Sequence, residues 1–192
     1  MNKPSMNKAL RILFLTVVVI VVLFILVRFA GYRPMKYPAD VGNSMHPTIS
    51  PGDTWLCRVK RGYAPEDLKR GMVIIFPKDN FGFLLTKRII ALEDQTVEIK
   101  GRATFVDGKE IAEPYAVFSG EDPSKTDSAR GTAITGPAKV PPGKLFVMGD
   151  NRDNSIDSRD PEFGFVDVKD IAGQPIMILW AKDKSRIGRR IR

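Results

Sequence analysis

"FGFLLTKRIIAL", residues Phe81 to Leu92, reads as a β-strand. Counted by twos, Phe83, Leu85, Lys87, Ile89 and Ala91 share one face, and Leu84, Thr86, Arg88, Ile90 and Leu92 share the other. On this reading Arg88 exits on a face shared with Thr86, while Lys87 has only apolar neighbours on its own. A lysine that snorkels at a sheet edge is the ordinary explanation, and periodicity alone does not displace it.

Working outward, the same period-2 pattern recurs in short pieces. Candidate strands are Thr54–Val59, Met72–Pro77, Gly82–Leu92, Thr96–Lys100, Ala103–Val106, Lys144–Met148 and Ile176–Trp180. Turn signals separate them: "SPGD" at 50–53, "VDGKE" at 106–110 and "VPPGK" at 140–144. No helix alternates with these strands, so the chain is predicted to be mainly β, an antiparallel sheet domain. "VDVKDIAG", 166–173, predicts one short helical turn. The segment Glu113–Lys139 is polar and poor in aromatic residues, and reads as a long surface loop or a reduced insertion.

The net charge of +8 is unevenly spread. Residues 1–30 hold four basic residues and no acid, and 182–192 hold six basic residues against Asp183. The body, 31–181, has 20 basic and 21 acidic residues. A nucleic-acid binder carries its charge on the folded domain, so no nucleic-acid partner is expected. The basic tail reads as a solvated, disordered end.

Residues Ile12 to Val27, "ILFLTVVVIVVLFILV", carry no charge. Sixteen helical residues cover about 24 Å, and Leu10, Phe29 and Ala30 lengthen the run if Arg11 and Arg28 snorkel to the interfaces. A cleaved leader needs small residues just past the apolar run, but "VRFAGYRP" puts Arg28 at the −3 position before Ala30. A retained transmembrane anchor over 9–30 is expected. Charge alone does not orient it, since Lys3, Lys8 and Arg11 face Arg28, Arg33 and Lys36.

Elimination narrows the chemistry. One cysteine, Cys57, excludes an internal disulfide and reads as a small buried hydrophobe. One histidine, His46, leaves no His-rich metal site, and its place beside Pro47 reads as an exposed loop. The acidic run "GDNRDNSIDSRDPEFGFV", 149–166, fails the calcium-loop spacing at its glycine, so no metal and no cofactor are expected. A serine nucleophile here needs a base other than histidine. Lys87 qualifies if burial lowers its pKa from about 10.4 by roughly 3–5 units, because a neutral amine can take a hydroxyl proton. In "GNSMHPTISPGD", 42–53, Gly42 and Asn43 let backbone approach a ligand, and the Ser44 amide is a candidate oxyanion donor.

The ordered set of the anchor, "SMHPTISPGD", "RGMVIIF" with "TKRII", and "GDNRDNSIDSR" resembles the bacterial type I signal peptidases. These are membrane-bound serine endopeptidases with a Ser-Lys dyad. The last stretch is highly specific, and together they cover 42–180 apart from 113–139. The resemblance implies Ser44 as nucleophile, Lys87 as general base and Ser155 as the residue that orients the amine by a hydrogen bond. It implies an Asp157–Arg159 ion pair, with Gly149, Asp150 and Arg152 as structural support. It also implies a cytoplasmic N-terminus, 1–8, and a catalytic domain, 31–181, outside the plasma membrane, with 101–139 as the remnant of an inserted subdomain and 182–192 as a tail. Precursor proteins bearing signal peptides are the implied substrates, bound extended beside 39–43 and 82–86; Val41, Asn43, Leu85 and Thr86 are the substrate-binding candidates.

Three departures stand out. Gly42 takes the place of a serine that helps hold the oxyanion in some relatives, and Arg70-Gly71-Met72 and Glu93-Asp94-Gln95 differ from the usual turns. Two other readings compete: a non-catalytic, membrane-tethered β-domain adaptor, and a self-cleaving Ser-Lys repressor, whose helix-turn-helix front end the anchor replaces.

Overall fold

A computed structural model of the chain describes residues 7–37, 42–60, 62–78, 82–118 and 136–192. Its one α-helix among these, α1 (Lys8–Phe29), spans about 33 Å at 1.5 Å per residue. Asn7 caps it, accepting from the Ala9 N–H at 3.3 Å. None of its side chains is buried, so an apolar cylinder stands clear of the rest of the chain. Gly31 ends it at φ +82°, where a side chain would strike the Val59 carbonyl.

Eleven strands follow among the described residues: β1 (Tyr32–Lys36), β2 (Thr54–Arg58), β3 (Val73–Pro77), β4 (Leu84–Ala91), β5 (Thr96–Lys100), β6 (Ala103–Val106), β7 (Lys109–Glu110), β8 (Ala138–Lys139), β9 (Lys144–Met148), β10 (Val166–Asp167) and β11 (Gln174–Trp180). They form three antiparallel sheets with orders β1-β2-β11, β10-β9-β4-β3 and β7-β6-β5-β8. The mainly β, antiparallel expectation holds. Three strands match their predicted bounds and four shift by one or two residues. β1 was not expected; it is an edge strand, where Pro34 is tolerated. The predicted helical turn is the 3-10 turn Val168–Asp170.

Three apolar clusters hold the sheets together. One collects Ile74, Phe76, Ile89 and Val147 on a face of the central sheet, under Phe163 and Ile171. A second joins that sheet to the first through Val73, Ile75, Trp55, Cys57 and Ile178. The third packs Ile90, Ala91, Phe146 and Met148 against Val97 and Val106. Ile90 and Ala91 share this cluster because the β4–β9 register shifts between Ile89 and Ala91, and a bulge breaks strict alternation. From Thr86 to Ala91 β4 is therefore buried on both faces. Arg88 does not exit: it is 0% exposed.

The segment 182–192 is not a free end: it folds back along β11, although most of its side chains stay exposed. Ile191 is buried against the second cluster, and its N–H donates to the Ile176 carbonyl at 2.7 Å. Nor is the start of 113–139 loose: Glu113 forks onto Arg152, and the Val117 N–H donates to Asp150 O at 2.8 Å. Residues 119–135 lie outside the described residues.

Candidate active site

Two loops and one strand converge. The loop between β1 and β2 is pinned from below: Met45 and Ile49, both 0% exposed, drop into the second cluster, and the Ile49 N–H closes a turn on Met45 O at 2.9 Å. Burying that pair leaves Ser44 at the mouth of a cleft. Lys87 reaches the same point from β4, where it lies opposite Ile74 of β3. Its side chain is buried, and Nζ donates to Ser44 Oγ at 2.8 Å. His46 is exposed and turned away, with Nδ1 3.1 Å from Ser50 Oγ.

The second loop, 149–159, closes over this pair. The Asn151 N–H donates to Ser44 O at 2.9 Å, and Asn151 Nδ2 donates to Asn43 O at 3.3 Å. Asp157 accepts from the Gly149 N–H at 2.9 Å and from Arg159 Nε and Nη2 at 2.8 and 3.0 Å. Burial alone would push the Asp157 carboxyl up, but the Arg159 guanidinium and a weaker contribution from Lys87 hold it below the usual range. Lys87 thus has a carboxylate within electrostatic reach, not only apolar neighbours. Arg152 forks onto Glu113 at 2.6 and 2.8 Å, and Arg88 forks onto Asp150 at 2.7 Å through both nitrogens, with the Tyr115 ring over its guanidinium.

Ser155 reaches the site, but the expected hydrogen bond to Lys87 is not formed. Its Oγ is buried without a hydrogen-bond partner of good geometry, lying near enough to Asp157 to favour that carboxylate slightly. It faces Gly149 instead. A Cβ at Gly149 would collide with Ser155 Oγ and stand 2.5 Å from Ser155 Cβ and 2.6 Å from Ser44 O. Only glycine lets the loop backbone come this close.

The chain has relatives among known proteins. The model of the signal peptidase, peptidase S26, family matches residues 10–180. The chain belongs to that signal peptidase family. The peptidase is 37% identical over 160 residues to signal peptidase I of Bacillus licheniformis, covering 82% of this chain and 81% of that one. With signal peptidase I S of Bacillus subtilis it shares 34% identity over 170 residues, 88% of this chain and 89% of the relative. A crystal structure of a signal peptidase I from Enterococcus faecalis aligns at TM-score 0.44 and 29% identity, over 56% of this chain and 95% of that one.

The peptidase's cleft is a cavity of about 200 Å³ that Ser44 and Lys87 share with Gly42, Leu85 and Thr86. Of the other substrate-binding candidates, Asn43 holds its carbonyl on Asn151 rather than lining the cleft, and Val41 lies outside the described residues. Phe83 and Leu84, in the 82–86 edge already named, also line the cleft, and sequence reasoning missed Tyr37, Asn154 and Ile156, which complete the walls. Tyr37 Oη donates to Gly42 O at 3.0 Å, and burial pushes its phenol up against the opposing effect of the Ser44 hydroxyl. No residue pattern pointed to Tyr37, because fold alone brings it there. Along β4, Leu84 to Lys87 pair with β3, whereas β9 takes up pairing only at Arg88. The edge from Leu84 to Thr86 is therefore open toward the cleft.

Proposed function

We propose that this signal peptidase cleaves signal peptides from exported precursors with Ser44 as nucleophile and Lys87 as general base, anchored by α1 with its β domain on the extracytoplasmic side. The observation that carries the reading is the 2.8 Å contact between a buried amine and a half-buried hydroxyl. Burial costs an ammonium its hydration, and Asp157, the carboxylate within its electrostatic reach, is already paired with Arg159. A neutral Lys87 takes the Ser44 proton as Oγ attacks the scissile carbonyl. The oxyanion meets the Ser44 N–H, which donates to nothing among the described residues. Lys87 then protonates the leaving amine, and afterwards removes a proton from the water that hydrolyses the acyl-enzyme.

The substrate adds as an extended strand along Leu84–Thr86. The small cavity suits small side chains at −1 and −3. From Gly31 to Ser44 is thirteen residues, at most about 43–47 Å extended, which keeps the site near the bilayer. Ser155 supports Lys87 in this reading by a rotation of its hydroxyl away from Gly149.

The test is cleavage of a precursor with an A-x-A site by the purified chain. Ser44→Ala and Lys87→Ala each reduce the rate by about 10⁴-fold with the fold retained by circular dichroism. Wild-type activity rises with pH as the amine loses its proton. Retained activity in Lys87→Ala, or a flat profile between about pH 5 and 9, contradicts the assignment.

A further inference from the structure

We propose that the basic segment 183–192 is a positioning element for the nucleophile loop, acting through Arg186; the idea rests on Ser44 being the nucleophile. Asp183 caps the turn Lys184–Arg186 by accepting from the Ser185 N–H at 2.9 Å. Gly188, at φ +81°, then returns the chain along β11, where Ile178 N donates to Arg189 O at 3.0 Å and Gly188 N to Ile178 O at 2.8 Å. Arg186 is thus held on both sides and aimed at 47–53.

Its guanidinium gathers three acceptors of that loop. Nη2 donates to Pro47 O at 3.1 Å and Thr48 O at 2.9 Å, while Nη1 and Nη2 bind the two Asp53 oxygens at 3.2 and 2.9 Å. Asp53 is 2% exposed and also accepts from the Ser50 N–H at 2.8 Å. The Pro47 and Thr48 carbonyls meet no backbone N–H among the described residues. Thr48 continues the chain of contacts, donating to Asp150 at 2.5 Å and accepting from Arg88 Nη2 at 3.3 Å. Arg88 Nη1 in turn donates to the Arg192 backbone oxygen, and Arg88 follows Lys87 on β4. One strap therefore touches the loop of the nucleophile and the strand of the base. Ser44 sits three residues from Pro47, so slack at 47–48 passes into the Ser44–Lys87 separation, where about 1 Å of misplacement costs on the order of 100-fold in rate.

The experiment compares the full chain with Arg186→Ala, Arg186→Lys and Val97→Ala, the last loosening the third apolar cluster without touching the segment or the loop. Arg186→Ala is expected to lower kcat by about 10–100-fold with KM within about 3-fold. Its pH profile keeps its midpoint, and added guanidinium restores part of the rate. Arg186→Lys recovers part of kcat, and Val97→Ala keeps kcat within about 3-fold despite a lowered melting temperature. Wild-type kcat in a folded Arg186→Ala overturns the proposal, as does a kcat loss in Val97→Ala equal to that in Arg186→Ala. If Arg186→Ala does not fold, Arg186→Lys decides: a reduced kcat at wild-type melting temperature supports the strap, and wild-type kcat overturns it. Failure of the Ser-Lys reading would appear separately, as activity in Lys87→Ala.

Discussion

Gly149 is as demanding a position as the two side chains proposed to react, Ser44 and Lys87. Lys87 is buried because β4 runs through the middle of the molecule, and its amine meets Ser44 because Met45 and Ile49 peg the neighbouring loop into the core. Gly149 sets how closely the third piece, the loop bearing Ser155, packs onto both. Adding one methyl there forces either Ser155 or the Ser44 carbonyl to move. Gly149→Ala is therefore expected to cost about 1–3 kcal/mol of stability by overpacking and to depress kcat more than KM, since the displaced groups touch the proposed nucleophile, Ser44. Urea denaturation and steady-state cleavage measure the two effects, and a variant with wild-type kcat would show that the loop has room to yield. The resemblance marked Gly149 as structural support, but the steric reason was not legible, because it depends on Ser44, 105 positions away, as well as on Ser155.

β4 was the most legible element and also the one whose reading needed most correction. Its hydrophobic run and Lys87 are visible in the letters, but strict alternation fails at the Ile89–Ala91 bulge. Arg88 looked outward-facing because its partner, Asp150, is 62 residues away. The tail misled for the same reason: six basic residues suggest solvent, while Asp53, the carboxylate that engages Arg186, is 133 positions off. Charge pairing between distant segments leaves no local trace, whereas turns such as the 106–110 hairpin, with Asp107 and Gly108 at φ 53° and 74°, are written in adjacent residues. The open edge of β4 carries its own prediction. If a substrate strand adds along Leu84–Thr86, N-methylating the substrate amides that face that edge weakens binding by about 2–10-fold for each hydrogen bond lost. Inhibition constants of a peptide series measure this, and a series insensitive to position argues for a different substrate pose.

Taken together, the buried ion pairs join segments that no single sheet connects. Arg152–Glu113 ties the base of the 113–139 segment to the 149–159 loop, Arg159–Asp157 braces that loop, and Arg186–Asp53 closes the loop that carries Ser44. Two of these carboxylates make the whole fold acid-sensitive. Burial pushes Glu113 up, but the Arg152 hydrogen bonds and charge outweigh it and hold the carboxyl below its ordinary range, and Arg159 does the same for Asp157. Unfolded, the two groups titrate near about 4.3 and 3.9. A carboxyl whose folded pKa is depressed contributes stability that is fully present above the unfolded value and is lost as pH falls toward the folded one. The melting temperature should therefore hold between pH 7 and about 5, then drop with increasing slope below about 4. Glu113→Gln removes one of the two groups while leaving Arg152 buried without its charge partner. It is expected to lower the melting temperature at neutral pH by roughly 5–10 °C and to flatten the acid limb. Melting curves by circular dichroism across pH 3–7 read both effects; an acid limb for Glu113→Gln parallel to that of the wild type would assign the acid sensitivity to other carboxylates.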